Sequence, residues 1–408
     1  MKNNIGIFKI TILMLPVILV LLTAASCNTP ANITSANTAE LSAGAIEAMD
    51  FTLSMKIGWN LGNTLDAHIN LDPSETSWGN PRATQALMHG VAAQGFGAVR
   101  IPVTWGFTII DEEDYLIETW WMNRVEQVVN YVLNAGMKAI INIHHDGADS
   151  YYWLSVKHED LTGPKKSAID EKFTAVWRQI AERFRNTGEN LIFEGFNELH
   201  DGSWGNGNAA QHRRVNELNQ IFVDTVRAVG GANSNRYLLI HGWVTRPSVT
   251  VSSLVMPSDT IENRIIVGIH YYDPYDFTGS ARFSVWGSKA NAPGGANEAY
   301  MRGQFNAVRR RFIDNGIPVI LGEYGAVNQS GRGFLFRKYY MEYITKLSHD
   351  NKIVPFYWDN GGFGYGSEKF GLLRRTDGTP YDQYAKEILE VMMRAVNEDY
   401  DISEIAAP

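Results

Sequence analysis

The chain has a single cysteine, Cys27, in 408 residues. One thiol excludes an intramolecular disulfide framework and any cluster of thiolate metal ligands. Positive charge is in deficit as well: 36 Lys and Arg stand against 44 Asp and Glu, for a formal net charge of −8. Nothing in that balance would neutralise a phosphate backbone, which excludes a nucleic-acid partner. Long apolar runs are scarce, and the one from Ile10 to Leu22 falls short of the ~20 residues of a membrane span. The GxGxxG spacing of a dinucleotide fold is missing too, because Gly58-Trp59-Asn60-Leu61-Gly62-Asn63 lacks its glycine pattern.

What is present begins with a targeting signal. Lys2 and Lys9 precede the apolar run, and the small residues Thr23-Ala24-Ala25-Ser26 lead to Cys27. A small-residue run ending in Cys resembles a bacterial lipobox, with Ala24 where Leu is commoner. The expectation is a lipoprotein-type signal peptide over residues 1–26 and an acylated Cys27 that anchors the chain to a membrane. Export to the cell surface or periplasm follows, or secretion if the Cys is incidental. Residues 27–44, rich in Asn, Thr, Ala and Ser, read as a flexible tether. One folded domain is expected over 45–398, then a tail over 399–408, with no appended module and a monomeric state.

Within that domain a strand-then-helix rhythm recurs. Apolar runs at Ile57–Leu61, Ala98–Pro102, Ala139–His144, Leu191–Asn197, Tyr237–Gly242, Ile265–Tyr271, Val319–Tyr324 and Val354–Trp358 predict eight strands. Helical patterns lie between them, at Trp120–Ala135, Glu171–Arg185, Gln211–Val229 and Asn297–Asp314. Gly136 and Gly316 stand where a left-handed residue closes a helix. Eight such repeats predict an α/β fold, a (β/α)8 TIM barrel.

In that architecture the functional site lies at the C-terminal ends of the strands, and there this sequence concentrates its polar residues. Strand ends carry Asn63 and Asp66, Arg100, His144-His145-Asp146, Asn197-Glu198, His241, His270-Tyr271-Tyr272-Asp273, Glu323 and Trp358-Asp359-Asn360. Glu198 and Glu323 make a carboxylate pair. Glycoside hydrolysis needs such a pair, one to protonate the leaving oxygen and one to attack the anomeric carbon. Arg100 is placed to keep Glu323 ionised, and a second carboxylate nearby would raise Glu198. Taken singly, each residue has a structural explanation; their coincidence on one rim does not. The 11 Trp residues lean the same way, since aromatic faces stack on sugar rings.

At these residues the sequence resembles glycoside hydrolase family 5, in its endoglucanase and xyloglucanase branch. The resemblance rests on Gly58–Asp66, Val99-Arg100-Ile101-Pro102, Ile143-His144-His145-Asp146 and Phe193-Glu194-Gly195-Phe196-Asn197-Glu198. It continues through His270-Tyr271-Tyr272, Gly322-Glu323-Tyr324-Gly325 and Phe356-Tyr357-Trp358-Asp359-Asn360, over about residues 46–395. It implies a retaining endo-β-1,4-glucanase with Glu198 as acid/base and Glu323 as nucleophile. Arg100 and Tyr272 would orient the nucleophile and Asn197 would bind the sugar 2-hydroxyl. His144 and His270 would complete the polar network, and Trp358 would carry the sugar at subsite −1. Asn63, His145 and Asn360 would contact the glycone further out. The implied substrate is a β-glucan, with no cofactor and no metal. One departure stands out: Leu199 follows the acid/base where many relatives have Pro.

Three other readings compete. A metal-dependent hydrolase would use His241, His270 and Asp359, but the histidines it needs at the end of the first strand are missing. A non-catalytic glycan-binding protein would not need both glutamates. A β-mannanase or xylanase would share them and differ in the loops Asp146–Lys166, Asp201–Gly207 and Ser280–Gly295. Trp204 and Trp286 sit in polar, glycine-containing stretches, where an aromatic either lines an outer subsite or packs its loop, and they are left out of the expected site.

Overall fold

The computed structural model describes residues 40–408 apart from Leu71 and residues 148–152. The expected signal peptide over residues 1–26, Cys27 and most of the expected tether therefore lie outside the described residues. Among the described residues eight parallel strands close into a barrel. They are β1 (Gly58–Leu61), β2 (Ala98–Ile101), β3 (Lys138–Asn142), β4 (Leu191–Glu194), β5 (Leu238–His241), β6 (Ile265–Tyr271), β7 (Val319–Tyr324) and β8 (Ile353–Asp359). Each pairs with its neighbours in sequence, and β1 closes the ring by pairing with both β2 and β8. The eight predicted strands are these eight, with ends shifted by no more than three residues: β4 stops at Glu194 rather than Asn197, and β8 runs one residue further at each end.

The helices are α1 (Ala43–Leu53), α2 (Gln85–Ala93), α3 (Thr119–Asn134), α4 (Gly163–Arg183), α5 (Ala209–Val229), α6 (Pro247–Ser253), α7 (Tyr275–Thr278), α8 (Glu298–Arg311), α9 (Arg332–Asp350) and α10 (Gln383–Asn397). Local chemistry sets their ends. The Ser42 hydroxyl accepts from the Ala45 N–H, and Asn208 and Gln211 form a reciprocal capping box on α5. Gly136 and Gly316 have φ of 80° and 76°, the left-handed stops expected after α3 and α8. Helix α4 starts at Gly163, well before the expected Glu171, because Pro164 in its first turn has no helical hydrogen bond to lose there.

The barrel interior is layered by the two-residue period of the strands. Ala98, Ile140, Ile192, Leu239, Ile266, Ile320 and Val354 form one buried apolar floor, to which α1 adds Ala48 from below. Two residues further along their strands stand Arg100, Asn142, Glu194 and His241, all buried. Asn60 is in register with both Arg100 and Trp358. At Gly268, two on from Ile266, a Cβ would lie 2.1 Å from the His241 ring, so only glycine leaves room for that imidazole. The outward residues Val99, Ile101, Ile141 and Phe193 pack with Val125, Val128, Trp177 and Phe222 of the helices in a second, larger core. Beyond α10, the Tyr400 hydroxyl donates to Glu342 at 3.1 Å and Ile405 is buried. No described helix is long and apolar enough to cross a membrane.

Candidate active site

The polar layer at the top of the barrel is organised by one fully buried cation. Arg100 donates through Nε and Nη2 to both oxygens of Glu194, at 2.6 and 2.7 Å. Its Nη1 donates to Glu323 Oε1 at 2.7 Å and to Asn60 Oδ1 at 3.0 Å, and Nη2 also reaches Asn197 Oδ1 at 2.7 Å. Glu194 takes further contacts from His241 Nε2 at 2.9 Å and Asn142 Nδ2 at 3.3 Å. Burial works against both charges. The pair outweighs it, holding the Glu194 carboxyl well below the usual range and Arg100 firmly protonated.

The two expected carboxylates stand together above this layer. Glu198 follows β4, with His270 Nδ1 at 2.7 Å from its Oε1 and the Thr245 hydroxyl at 3.3 Å. Glu323, on β7, accepts from the Tyr272 hydroxyl at 3.2 Å in addition to Arg100. His270 Nδ1 is 3.7 Å from Glu323 Oε2, and one oxygen of each carboxylate lies within 4.8 Å of the other.

The electrostatics differ from the expectation in two respects. Burial pushes Glu323 up, and His270 and Arg100 oppose it without reversing the direction. The neighbouring Glu198 charge adds to the upward push. Glu198 is raised, as expected, but burial is the main cause rather than the second carboxylate. Burial also drives His270 down to about 3 and His144 well below the ordinary histidine value, so both imidazoles are neutral at pH 7.

These groups line a cleft of about 560 Å³ together with His144, His145, Asn197 and Trp358. The Trp358 ring lies nearly parallel to His144, at 5.9 Å and 6°. His145 Nε2 reaches back to Asp66 at 3.4 Å. Three predicted residues are not on the cleft wall: Arg100 lies buried beneath it, and Asn360 and Asn63 are held in turns. Asn360 spends its side chain on its own loop, donating to Glu368 O and accepting from the N–H of Gly362. Asn63 sits in a left-handed turn at φ 55°, its N–H donating to Asp66 and its carbonyl accepting from Asn80 Nδ2. Both are turn-forming asparagines.

Four residues of the network escaped the sequence reading of the site: Asn60, Asn142, Glu194 and Thr245. A signal existed for three of them. Each is a polar residue inside an apolar strand run, where a buried group must find a partner.

The competing metal-hydrolase triad does not assemble. The Asp359 oxygens accept from Trp59 Nε1, from the N–H groups of Gly361, Leu372 and Leu373, and from Arg375. Glu194, His241 and His270 do bring donor atoms within 4.8 Å of one another. There a dication would compete with the Arg100 guanidinium for both Glu194 oxygens.

The comparisons with known proteins agree with this geometry. The family model described as cellulase (glycosyl hydrolase family 5) matches residues 63–364. Endoglucanase A of Paenibacillus barcinonensis is 38% identical over 360 residues, covering 83% of this chain and 88% of that protein. A xyloglucan-specific endo-beta-1,4-glucanase of Bacteroides ovatus is 38% identical over 358 residues, covering 83% and 68%. In structure, the chain resembles a broad-specificity endoglucanase from Bacteroides salanitronis, at 44% identity and a TM-score of 0.82 over 86% of this chain and 95% of that one.

Proposed function

The chain belongs to the cellulase family, glycosyl hydrolase family 5, and from that premise we propose that it is a retaining endo-β-1,4-glucanase. Its substrates would be soluble plant cell-wall glucans: xyloglucan, mixed-linkage β-glucan and soluble cellulose. The relatives that carry endoglucanase and xyloglucanase names support the substrate class.

One observation carries the retaining mechanism: carboxylate oxygens of Glu198 and Glu323 lie within 4.8 Å of each other. Retaining pairs stand about 5–5.5 Å apart, whereas an inverting pair needs about 6.5–9.5 Å to admit a water between carboxyl and sugar. The division of labour follows from the donors. Glu323 receives Arg100 and Tyr272, while Glu198 faces neutral His270 and a hydroxyl. The single negative charge of the pair therefore settles on Glu323, and the shared proton stays on Glu198.

Glu323 then attacks the anomeric carbon as Glu198 protonates the departing oxygen. Glu198 afterwards takes a proton from the water that releases the sugar. Asn197, fixed through Oδ1 by Arg100, turns its amide N–H toward the sugar 2-hydroxyl, and Trp358 lies under the ring.

The test is proton NMR of the first product released from each glucan, alongside viscosity and reducing ends. A β-anomer appearing first with a rapid fall in viscosity is expected. An α-anomer first would overturn retention, and cleavage of mannan or xylan alone would overturn the substrate class. We also propose export and acylation at Cys27; a mature N-terminus other than a lipid-modified Cys27, read by intact mass, would refute the anchor.

A further inference from the structure

Two nitrogens of the polar layer are left over once its hydrogen bonds are assigned. Among the described residues, His241 Nδ1 and His270 Nε2 have no hydrogen-bond partner, although both rings are buried and a buried polar atom normally finds one. The rings stand on the neighbouring strands β5 and β6, edge to face, with centroids 5.5 Å apart at 74°. Donor atoms of Glu194, His241 and His270 come within 4.8 Å of one another, a gap that one water spans with two hydrogen bonds of about 2.8 Å. There is room beside His270 Nε2. A Cβ on Gly322 would lie 2.9 Å from that nitrogen, and apart from the ring and the glycine's chain neighbours the next atom is Ile269 O at 3.8 Å.

The hydrogens follow from the two ends of this row. Ionised Glu194 can only accept, so His241 Nε2, 2.9 Å from Glu194 Oε1, carries the N–H. A neutral imidazole has one N–H, which leaves a lone pair at His241 Nδ1. At the other end Glu198 holds its proton before the bond breaks, and His270 Nδ1 lies 2.7 Å from its Oε1. That Nδ1 therefore accepts, and His270 Nε2 carries the hydrogen. The two unpaired nitrogens are complementary, one a donor and one an acceptor. Glu323 Oε2, 3.7 Å from the same Nδ1, favours the opposite tautomer, so His270 needs a partner at Nε2 to resist it.

We propose that His241 is a positioning residue for the acid/base: through one buried water it accepts from His270 Nε2–H and so keeps a lone pair on His270 Nδ1 facing Glu198. The proposal rests on the assignment of Glu198 as the acid. Before cleavage that lone pair accepts the Glu198 O–H and keeps the acid loaded. After cleavage the Glu198 carboxylate faces a lone pair instead of an N–H, which makes it a stronger base toward the incoming water. One fixed tautomer thus serves both steps. Burial raises Glu198 against the opposing pull of Arg100, His200, Thr245 and His241. Glu323, Tyr272 and Tyr275 also lie within its reach.

Two variants separate this role from support of Glu194. His241→Gln keeps a donor where Nε2 meets Glu194 but removes the acceptor at Nδ1. His241→Asn keeps an acceptor in the place of Nδ1 and gives up the Glu194 contact. In His241→Gln, His270 is free to turn an N–H toward ionised Glu198, so the alkaline limb of kcat/KM on mixed-linkage β-glucan should move about one unit toward acid. In His241→Asn that limb should stay at its wild-type position. An unmoved limb in His241→Gln, or equal shifts in the two variants, overturns the positioning role. Neutron diffraction from deuterated wild-type crystals needs neither variant. It should show deuterium on His270 Nε2 and a water between the rings; deuterium on Nδ1, or no water there, overturns the proposal. A wild-type chain that cuts no β-glucan would instead refute the glucanase reading, while the deuterium positions still decide the tautomer.

Discussion

Glu194→Gln is the substitution that most directly tests how the barrel interior is held. Glu194 is fully buried beneath the reacting pair and accepts two charge-assisted hydrogen bonds from Arg100. Gln has the same shape but loses the charge, and its amide N–H group points one donor at another. Removing one partner of a buried ion pair costs about 3–5 kcal/mol, because the remaining charge stays desolvated. Gln keeps one acceptor and Arg100 keeps Glu323, so the lower end, about 3 kcal/mol, applies. For roughly 370 folded residues at about 2.1 cal/mol/K each, the unfolding entropy near Tm is about 0.8 kcal/mol/K, giving a fall of about 4 °C. Calorimetry at pH 7 measures it. The direction of the pH dependence is also fixed. Glu194 is held below its ordinary value of 4.5, so its contribution is complete above that pH and is lost as the pH falls below it. The gap between wild type and variant should therefore close on acidification. An uncompensated Arg100 would also pull Glu323 and Glu198 down, moving the activity profile toward acid. A Tm within about 1 °C of wild type at pH 7, with an unmoved profile, would refute this account of the network.

Glu323→Gln should lower turnover by about four orders of magnitude or more while leaving Tm at pH 7 unchanged or higher. Burial raises Glu323 above its unfolded value, so its ionised form costs stability at neutral pH, and a neutral Gln removes that cost. A clear loss of Tm would contradict it. The pH profile of kcat/KM should be bell-shaped, with its acid limb above the ordinary glutamate value of 4.5, because burial raises both carboxyls. Activity falls at low pH as Glu323 takes up a proton and at high pH as Glu198 loses one; an acid limb below 4.5 would refute it. Trp286→Ala should cost about 3–5 kcal/mol in urea unfolding, whereas Trp204→Ala, exposed on the cleft, should stay within about 0.5 kcal/mol. Equal losses would show that the loop indole is part of the core.

The barrel and its reacting pair are legible in the sequence for a simple reason. Strands alternate every two residues and helices repeat about every 3.6, so eight apolar runs such as Ile265–Tyr271 and Val319–Tyr324 locate eight strands. A fold that gathers strand ends on one rim then brings Glu198 and Glu323 together. The sequence could not say which buried polar residues pair inside the ring. Asn60, Arg100, Asn142, Glu194 and His241 come from five strands, and only barrel closure sets Arg100 against Glu194 as well as Glu323. The same closure buries Glu323 so completely that its carboxyl is raised although an arginine lies 2.7 Å away. Nor could composition separate Asn360, bound into its own loop, from Asn197, which faces the cleft, or Trp286 in the core from Trp204 on the wall. Periodicity along the chain fixes which face of an element a side chain takes. Which neighbours cover that face depends on residues distant in sequence, and only the tertiary structure decides that.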